Sequence, residues 1–244
     1  MTYCVGMLLD EGLVMAADTR TNAGVDNVGK FKKLHTWQKS GESLFVLLTA
    51  GNLAVTQAVV SLLNEGTKFK GKAATENLFG AKTMFQAARI VGRAIREVKK
   101  IEGEALSPTS DAFASSYIFA GQIGRERPRL FQIYAEGNFI EATTDTPFFQ
   151  IGEHKYGKPI LDRVAQTTMK LGDAAKLVLL SFDSTVRSNL SVGLPIDMLT
   201  YETGTLKLEH TKRIGLDDPY FKMLSSEWSK ALRSAFANIE AFDI

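Results

Sequence analysis

Tyr3-Cys4-Val5-Gly6-Met7-Leu8-Leu9-Asp10-Glu11-Gly12-Leu13-Val14-Met15-Ala16-Ala17-Asp18-Thr19-Arg20-Thr21 reads as two apolar, β-prone runs joined by a polar turn. The runs, Tyr3 to Asp10 and Gly12 to Thr21, meet at Asp10-Glu11-Gly12, and this spacing predicts a hairpin. Asp18-Thr19-Arg20 ends its second strand. After a polar, Gly-containing loop comes Phe31-Lys32-Lys33-Leu34-His35. Leu44 to Ala50 then runs into Gly51-Asn52 at the start of an apolar helical pattern.

One residue lies just ahead of the hairpin. Thr2 follows Met1, and Met before a small residue is a usual substrate for methionine removal. A mature chain starting at Thr2 would set a free α-amine beside a hydroxyl, a general base and a nucleophile in one residue. The pKa of an α-amine is about 8, against about 10.4 for lysine, so a useful neutral fraction exists at neutral pH.

Further along, Val55, Val59, Leu62 and Leu63 form a helical stripe with Asn52 to cap it and Gly66 to stop it. A longer helix is expected from about Thr75 to Lys100, where Phe85, Ala88, Val91, Ile95 and Val98 repeat at helical spacing. Its additional apolar residues, Leu78, Phe79, Met84 and Ile90, predict a second buried face at a subunit interface. Tyr117 to Ile123, Leu130 to Ala135 and Phe139-Ile140 read as strands, followed by helices from about Lys155 and from Asp173. Pro195 to Glu202 and Thr205 to Leu208 read as a strand pair around Thr203-Gly204, before a last helix over roughly Pro219 to Ile239. Strands, two helices, strands, two helices, strands and a helix form an α+β pattern with antiparallel sheets.

With 244 residues, 45% of them apolar, the chain suits one sizeable core, read as a single domain over 1–244. A net charge of +2 gives no strong field for nucleic acid or an anionic membrane. The run Lys68-Phe69-Lys70-Gly71-Lys72 reads as a solvated loop. Cys4, the one cysteine, cannot form an internal disulfide and reads as a small buried side chain. His35, His154 and His210 lack metal-ligand spacing, so no metal and no cofactor is expected. There is no span-length apolar segment and no signal peptide, which points to a cytoplasmic protein.

Thr2, Asp18-Thr19-Arg20, Lys33-Leu34-His35 and Ala50-Gly51 together resemble the proteasome β-subunit and its bacterial relatives, the N-terminal-nucleophile threonine hydrolases. Within that superfamily the chain is most similar to the bacterial Anbu family. That closer likeness is carried by Thr2-Tyr3-Cys4-Val5, by Asp18-Thr19-Arg20-Thr21-Asn22-Ala23-Gly24-Val25-Asp26, and by Pro147-Phe148-Phe149-Gln150-Ile151-Gly152-Glu153-His154-Lys155-Tyr156-Gly157-Lys158-Pro159. Ser181-Phe182-Asp183-Ser184-Thr185 and Ser188-Asn189-Leu190-Ser191-Val192-Gly193-Leu194-Pro195 extend it over nearly the whole chain.

The resemblance implies a four-layer αββα sandwich, two antiparallel sheets between helical layers. It implies attack by Thr2 on a peptide or other amide carbonyl through an acyl-enzyme. Lys33 would place an ammonium beside the Thr2 oxygen, Asp18 would hold that charge, and the Gly51 N–H would meet the oxyanion. Lys32 is the rival to Lys33; the Lys-x-His register favours Lys33. Thr21 and Gly51 would bond an extended peptide, while Thr21, Phe31, Thr49 and Leu53 would line a medium-sized, mostly apolar pocket. The family's supporting Gly-Ser-Gly segment reads here Gly152-Glu153-His154, and its Asp-x-x-Ser-Gly reads Ser188-Asn189-Leu190-Ser191-Val192. Ser191 therefore survives as the residue to orient the Thr2 amine, and Glu153 reads either as replacing the missing carboxylate or as exposed. The resemblance further implies a large homo-oligomer, ring, lock-washer or helical, with possible functional association with ATP-grasp-type or transglutaminase-like proteins. Two other readings stand beside it: an assembly with little proteolysis, and a narrow amidase for a modified amide.

Overall fold

The Asp10-Glu11 turn closes as expected: Leu9 and Gly12 exchange backbone hydrogen bonds of 2.8 and 3.1 Å. The flanking strands are β1 (Tyr3–Leu8) and β2 (Gly12–Asp18), paired with Cys4 opposite Ala17. This computed structural model describes residues 2–22, 28–66, 75–103 and 113–243. Met1, motif residues 23–26 and the Lys68–Lys72 run lie outside the described residues.

After β2 the chain breaks at Thr19 and forms a small separate ribbon, β3 (Arg20–Asn22) with β4 (Val28–Lys30), so the second hairpin strand stops at Asp18 rather than Thr21. Then come β5 (Leu34–Lys39), β6 (Ser43–Gly51), α1 (Leu53–Glu65), α2 (Met84–Glu102), β7 (Ser115–Ile123), β8 (Arg129–Ile133), β9 (Phe139–Glu141) and β10 (Phe148–Gly152). α3 (Lys158–Val164), α4 (Leu171–Ser188), β11 (Ile196–Glu202), β12 (His210–Ile214) and α5 (Pro219–Ala237) complete the order. One antiparallel sheet runs β10-β1-β2-β11-β12 and the other β5-β6-β7-β8-β9.

The two-residue period of a strand builds the layers. On β1, Tyr3, Val5 and Met7 pack with Leu177, Val178 and Phe182 of α4, while Cys4 points to the opposite sheet. On β6, Phe45 and Leu47 pack with Val59 of α1 and Val91 of α2, while Leu44, Val46 and Leu48 join Met15 and Ile118 between the sheets. Every buried face thus has a partner layer, and the result is the expected helix, sheet, sheet, helix sandwich.

Three expectations need correction. The helix placed from Thr75 begins at Met84, because Asn77 caps a single 3-10 turn over Leu78–Gly80 and Thr83 then caps α2. Thr83 Oγ1 accepts from Gln86 N while Gln86 Oε1 accepts from Lys82 N, a variant of the capping box. Leu78, Met84 and Ile90 are buried in the chain's own core, so they form no spare face; Phe79 and Phe85 remain about half exposed. The strand expected over Thr205 to Leu208 lies instead at His210–Ile214. The buried Tyr201–Gln122 bond of 2.6 Å draws the intervening loop inward: Gln122 Oε1 also accepts from Gly204 N, and Leu206 N donates to Tyr201 Oη.

Candidate active site

Thr2 lies just ahead of β1 and is 9% exposed. Its carbonyl accepts a 2.6 Å hydrogen bond from Glu153 N, continuing the β1–β10 pairing in which Tyr3 faces Gly152. Gly152 has φ of +83°, and a Cβ there would lie 2.0 Å from the Thr2 carbonyl oxygen, so glycine is required. The next residue is fixed from within. Tyr3 Oη donates to Ser181 Oγ at 3.0 Å and accepts from Gln150 Nε2 at 2.7 Å, and its ring meets Phe182 edge-on.

Asp18, at the end of β2, is completely buried. Its Oδ1 accepts from Lys33 Nζ at 2.7 Å and from Tyr3 N at 3.0 Å, and its Oδ2 accepts from Gly193 N at 3.3 Å. Burial raises the Asp18 carboxyl above its ordinary value, opposed by the Lys33 charge and by these donors. Lys33, 3% exposed, also donates to the Arg20 carbonyl at 2.5 Å. Lys32 is exposed. Of the two lysines, both of which precede β5, Lys33 is therefore the one that is buried and paired.

The strand β6 brings up the opposite wall. Gly51, at its end, has φ of +105°, and a Cβ there would lie 2.1 Å from the Ala114 carbonyl oxygen. Asn52 then caps α1 by accepting from Ala54 N and Val55 N, which sets the sharp strand-to-helix change at the site. Thr2, Thr21, Lys33, Thr49, Gly51, Leu53 and Gly152 are among the residues that line one cavity of about 210 Å³. Of the expected residues, Phe31 is not among those lining it and is 40% exposed; its ring lies on Gly29. Ser191 does not line it either. It sits two residues before Gly193, and its N–H donates to Asn189 Oδ1 at 2.9 Å.

Several neighbours make contacts that their sequence patterns do not specify. Arg20 is no simple partner of Asp18: its guanidinium donates to the Leu190 carbonyl at 2.8 Å and packs on Gly193, where a Cβ would come within 2.4 Å of Cζ. Glu153 is buried and bonded to Asn189, 36 residues away, and only the departure from Gly-Ser-Gly points to it. Cys4 is buried beneath the cavity and its thiol reaches the Thr49 carbonyl at 3.7 Å; burial holds it well above the usual thiol range, which leaves it inert. Among the described residues there is no group of His, Cys, Asp and Glu placed to hold a metal.

A threonine at the head of β1, a buried Lys–Asp pair and a strand-end glycine, mounted on an αββα sandwich, match the proteasome-like N-terminal-nucleophile hydrolase fold. No family model and no curated protein matches the chain. Solved structures do. Anbu from Hyphomicrobium sp. strain MC1 is 60% identical, with 99% of this chain and 100% of that chain covered and a TM-score of 0.91. Anbu (ancestral beta-subunit) from Yersinia bercovieri is 45% identical, with 99% and 100% covered and a TM-score of 0.90. The helical assembly of the Anbu complex from Pseudomonas aeruginosa is 42% identical, with 99% and 98% covered and a TM-score of 0.90. The chain belongs to the Anbu family.

Proposed function

We propose that the chain is a threonine-type hydrolase in which Thr2, freed by removal of Met1, attacks a peptide or other amide carbonyl. The observation that carries this is Lys33, which lines the same cavity as Thr2 and Gly51 and is paired there with the fully buried Asp18. The Lys33 charge favours the alkoxide form of Thr2, and the α-amine takes the hydroxyl proton. The Gly51 N–H supports the tetrahedral oxyanion as the acyl-enzyme forms. Return of the proton to the departing amine releases it, and water attacks the ester by the same path in reverse. Thr21, Thr49 and Leu53 shape the pocket for the residue before the cleaved bond.

The size of the cavity favours a second, narrower reading. At about 210 Å³ it is smaller than pockets for drug-sized ligands, roughly 300–1,000 Å³, which suits an amidase for a small or modified amide. ATP-grasp-type or transglutaminase-like proteins, which make or exchange such amides, fit that reading as functional associates. A digest of a peptide library together with a panel of modified amides tests both readings. Cleavage that disappears in Thr2→Ala supports the hydrolase, and the substrate profile separates broad peptidase from narrow amidase. Absence of any Thr2-dependent cleavage leaves the assembly reading, a scaffold with little proteolysis.

The subunits are proposed to form a large homo-oligomer, ring, lock-washer or helical in form, in the cytoplasm. The similar Pseudomonas aeruginosa protein forms a helical assembly. Here the second half of α5 and the segment after it leave Leu232, Phe236, Ile239 and Phe242 between 52% and 90% exposed, an apolar run suited to a second copy of this chain. α5 therefore takes the interface role expected of the earlier long helix. No described helix is long and apolar enough to cross a membrane.

A further inference from the structure

We infer that Glu153 is a positioning residue, whose carboxylate acts through Asn189 to hold the 189–193 turn in place against Asp18; this rests on the reading that Thr2 reacts. The side chain is 5% exposed and accepts at both oxygens. Oε1 takes the N–H groups of His154 and Lys155, each at 2.9 Å, and Oε2 takes Asn189 Nδ2 at 2.6 Å. Asn189 Oδ1 in turn takes the Ser191 N–H at 2.9 Å. The main-chain N–H of Glu153 holds the Thr2 carbonyl at 2.6 Å. Glu153 thus ties the backbone of the nucleophile to the turn that delivers Gly193 N to Asp18 and the Leu190 carbonyl to Arg20. Burial works to raise the Glu153 carboxyl, but the donors from Lys155, Asn189 and His154 outweigh it and keep the group below its ordinary value, ionised and accepting.

The relay has a direction. Asn189 must donate toward Glu153 and accept from Ser191, and an amide does this in one orientation only. Glutamine at 153 would keep the backbone acceptor but turn a second N–H on Asn189 Nδ2. Flipping Asn189 to suit it would set Nδ2 against the Ser191 N–H. Glu153→Gln therefore breaks at least one bond whichever way it settles, and two if its own NH2 turns toward the His154 and Lys155 N–H groups. Asn189→Asp alone sets two carboxylates against each other. The double variant Glu153→Gln/Asn189→Asp restores the two bonds of the relay, because the carboxylate introduced at position 189 accepts both from the amide introduced at position 153 and from the Ser191 N–H.

The test combines two readouts on each variant. Amide hydrogen exchange of Ser191 and Gly193 reports the turn directly, and labelling of Thr2 by a peptide epoxyketone reports the reaction. Glu153→Gln and Asn189→Asp are each predicted to speed exchange of those amides and to slow the labelling rate constant by about tenfold, with the reversible affinity of the probe unchanged. The double variant is predicted to recover both. Unchanged exchange in the single variants, or a folded double variant no better than either single, overturns the inference. If Glu153→Gln fails to fold, Asn189→Asp against the double variant decides in its place. A wild-type protein that never labels at Thr2 removes the hydrolase reading, while the exchange readout still decides the relay.

Discussion

Removing the Lys33 ammonium should cost stability and reactivity by separate routes, and the two can be told apart. Lys33→Met keeps most of the side-chain volume but leaves Asp18, fully buried, with only the N–H groups of Tyr3 and Gly193. Breaking a buried pair from one side costs about 3–5 kcal/mol. Protonating the stranded carboxyl caps the loss: from an ordinary pKa of about 4, protonation at pH 7 costs at most about 4 kcal/mol, and the Asp18 pKa is already raised. A loss of about 3 kcal/mol at pH 7 is expected, or roughly 6–12 °C in Tm. Since protonated Asp18 suits the variant, its deficit relative to wild type should shrink as pH falls toward 5. Lys33→Met/Asp18→Asn should recover most of the stability, less the weak Gly193 contact, because no charge is left buried. Neither variant should react: acylation of Thr2 should fall at least about a hundredfold in both, comparable to loss of an oxyanion donor. Urea unfolding across pH and pre-steady-state labelling rates measure the two effects. A double variant no more stable than Lys33→Met, or a Lys32→Ala variant that loses as much reactivity, refutes the reasoning.

Gly152→Ala forces a Cβ onto the Thr2 carbonyl at a positive φ, so a loss of about 2 kcal/mol or more and abolished labelling are expected by denaturation and mass spectrometry. Tyr3→Phe removes the hydroxyl shared by Ser181 and Gln150 and should cost about 1–2 kcal/mol in urea unfolding, with labelling slowed less than in Lys33→Met. Burial, helped by the charge of Lys32, lowers the His35 pKa to about 4. The unfolded chain then binds the extra proton first, so stability should fall as pH drops from about 6.5 to 4, by roughly 2 kcal/mol after allowance for partial exposure. In His35→Gln that part of the pH slope should vanish.

Local chemistry is legible where one residue type decides a boundary. Asn52 and Gly66 bracket α1 as the sequence predicts, and Asp10-Glu11-Gly12 closes the hairpin. Lys33 is separable from Lys32 by its Lys-x-His register, and the structure buries it on Asp18. The strand after Thr203-Gly204 falls later than its pattern predicts because a long-range bond, Tyr201 to Gln122, bends the loop away from a tight hairpin. Leu78 and Met84 read as a spare apolar face because helical spacing counts apolar residues without showing which sheet covers them; the N-caps at Asn77 and Thr83 reorient that segment. Glu153 and Asn189 are visible only as departures from a pattern, since nothing local pairs residues 36 apart.

The most direct measurement is intact and peptide mass spectrometry of the protein from its native host, before and after treatment with a threonine-hydrolase electrophile. The account predicts a chain lacking Met1 that gains one probe mass, located at Thr2, with no gain in Thr2→Ala. A mature chain that keeps Met1, or labelling that persists in Thr2→Ala, would contradict it.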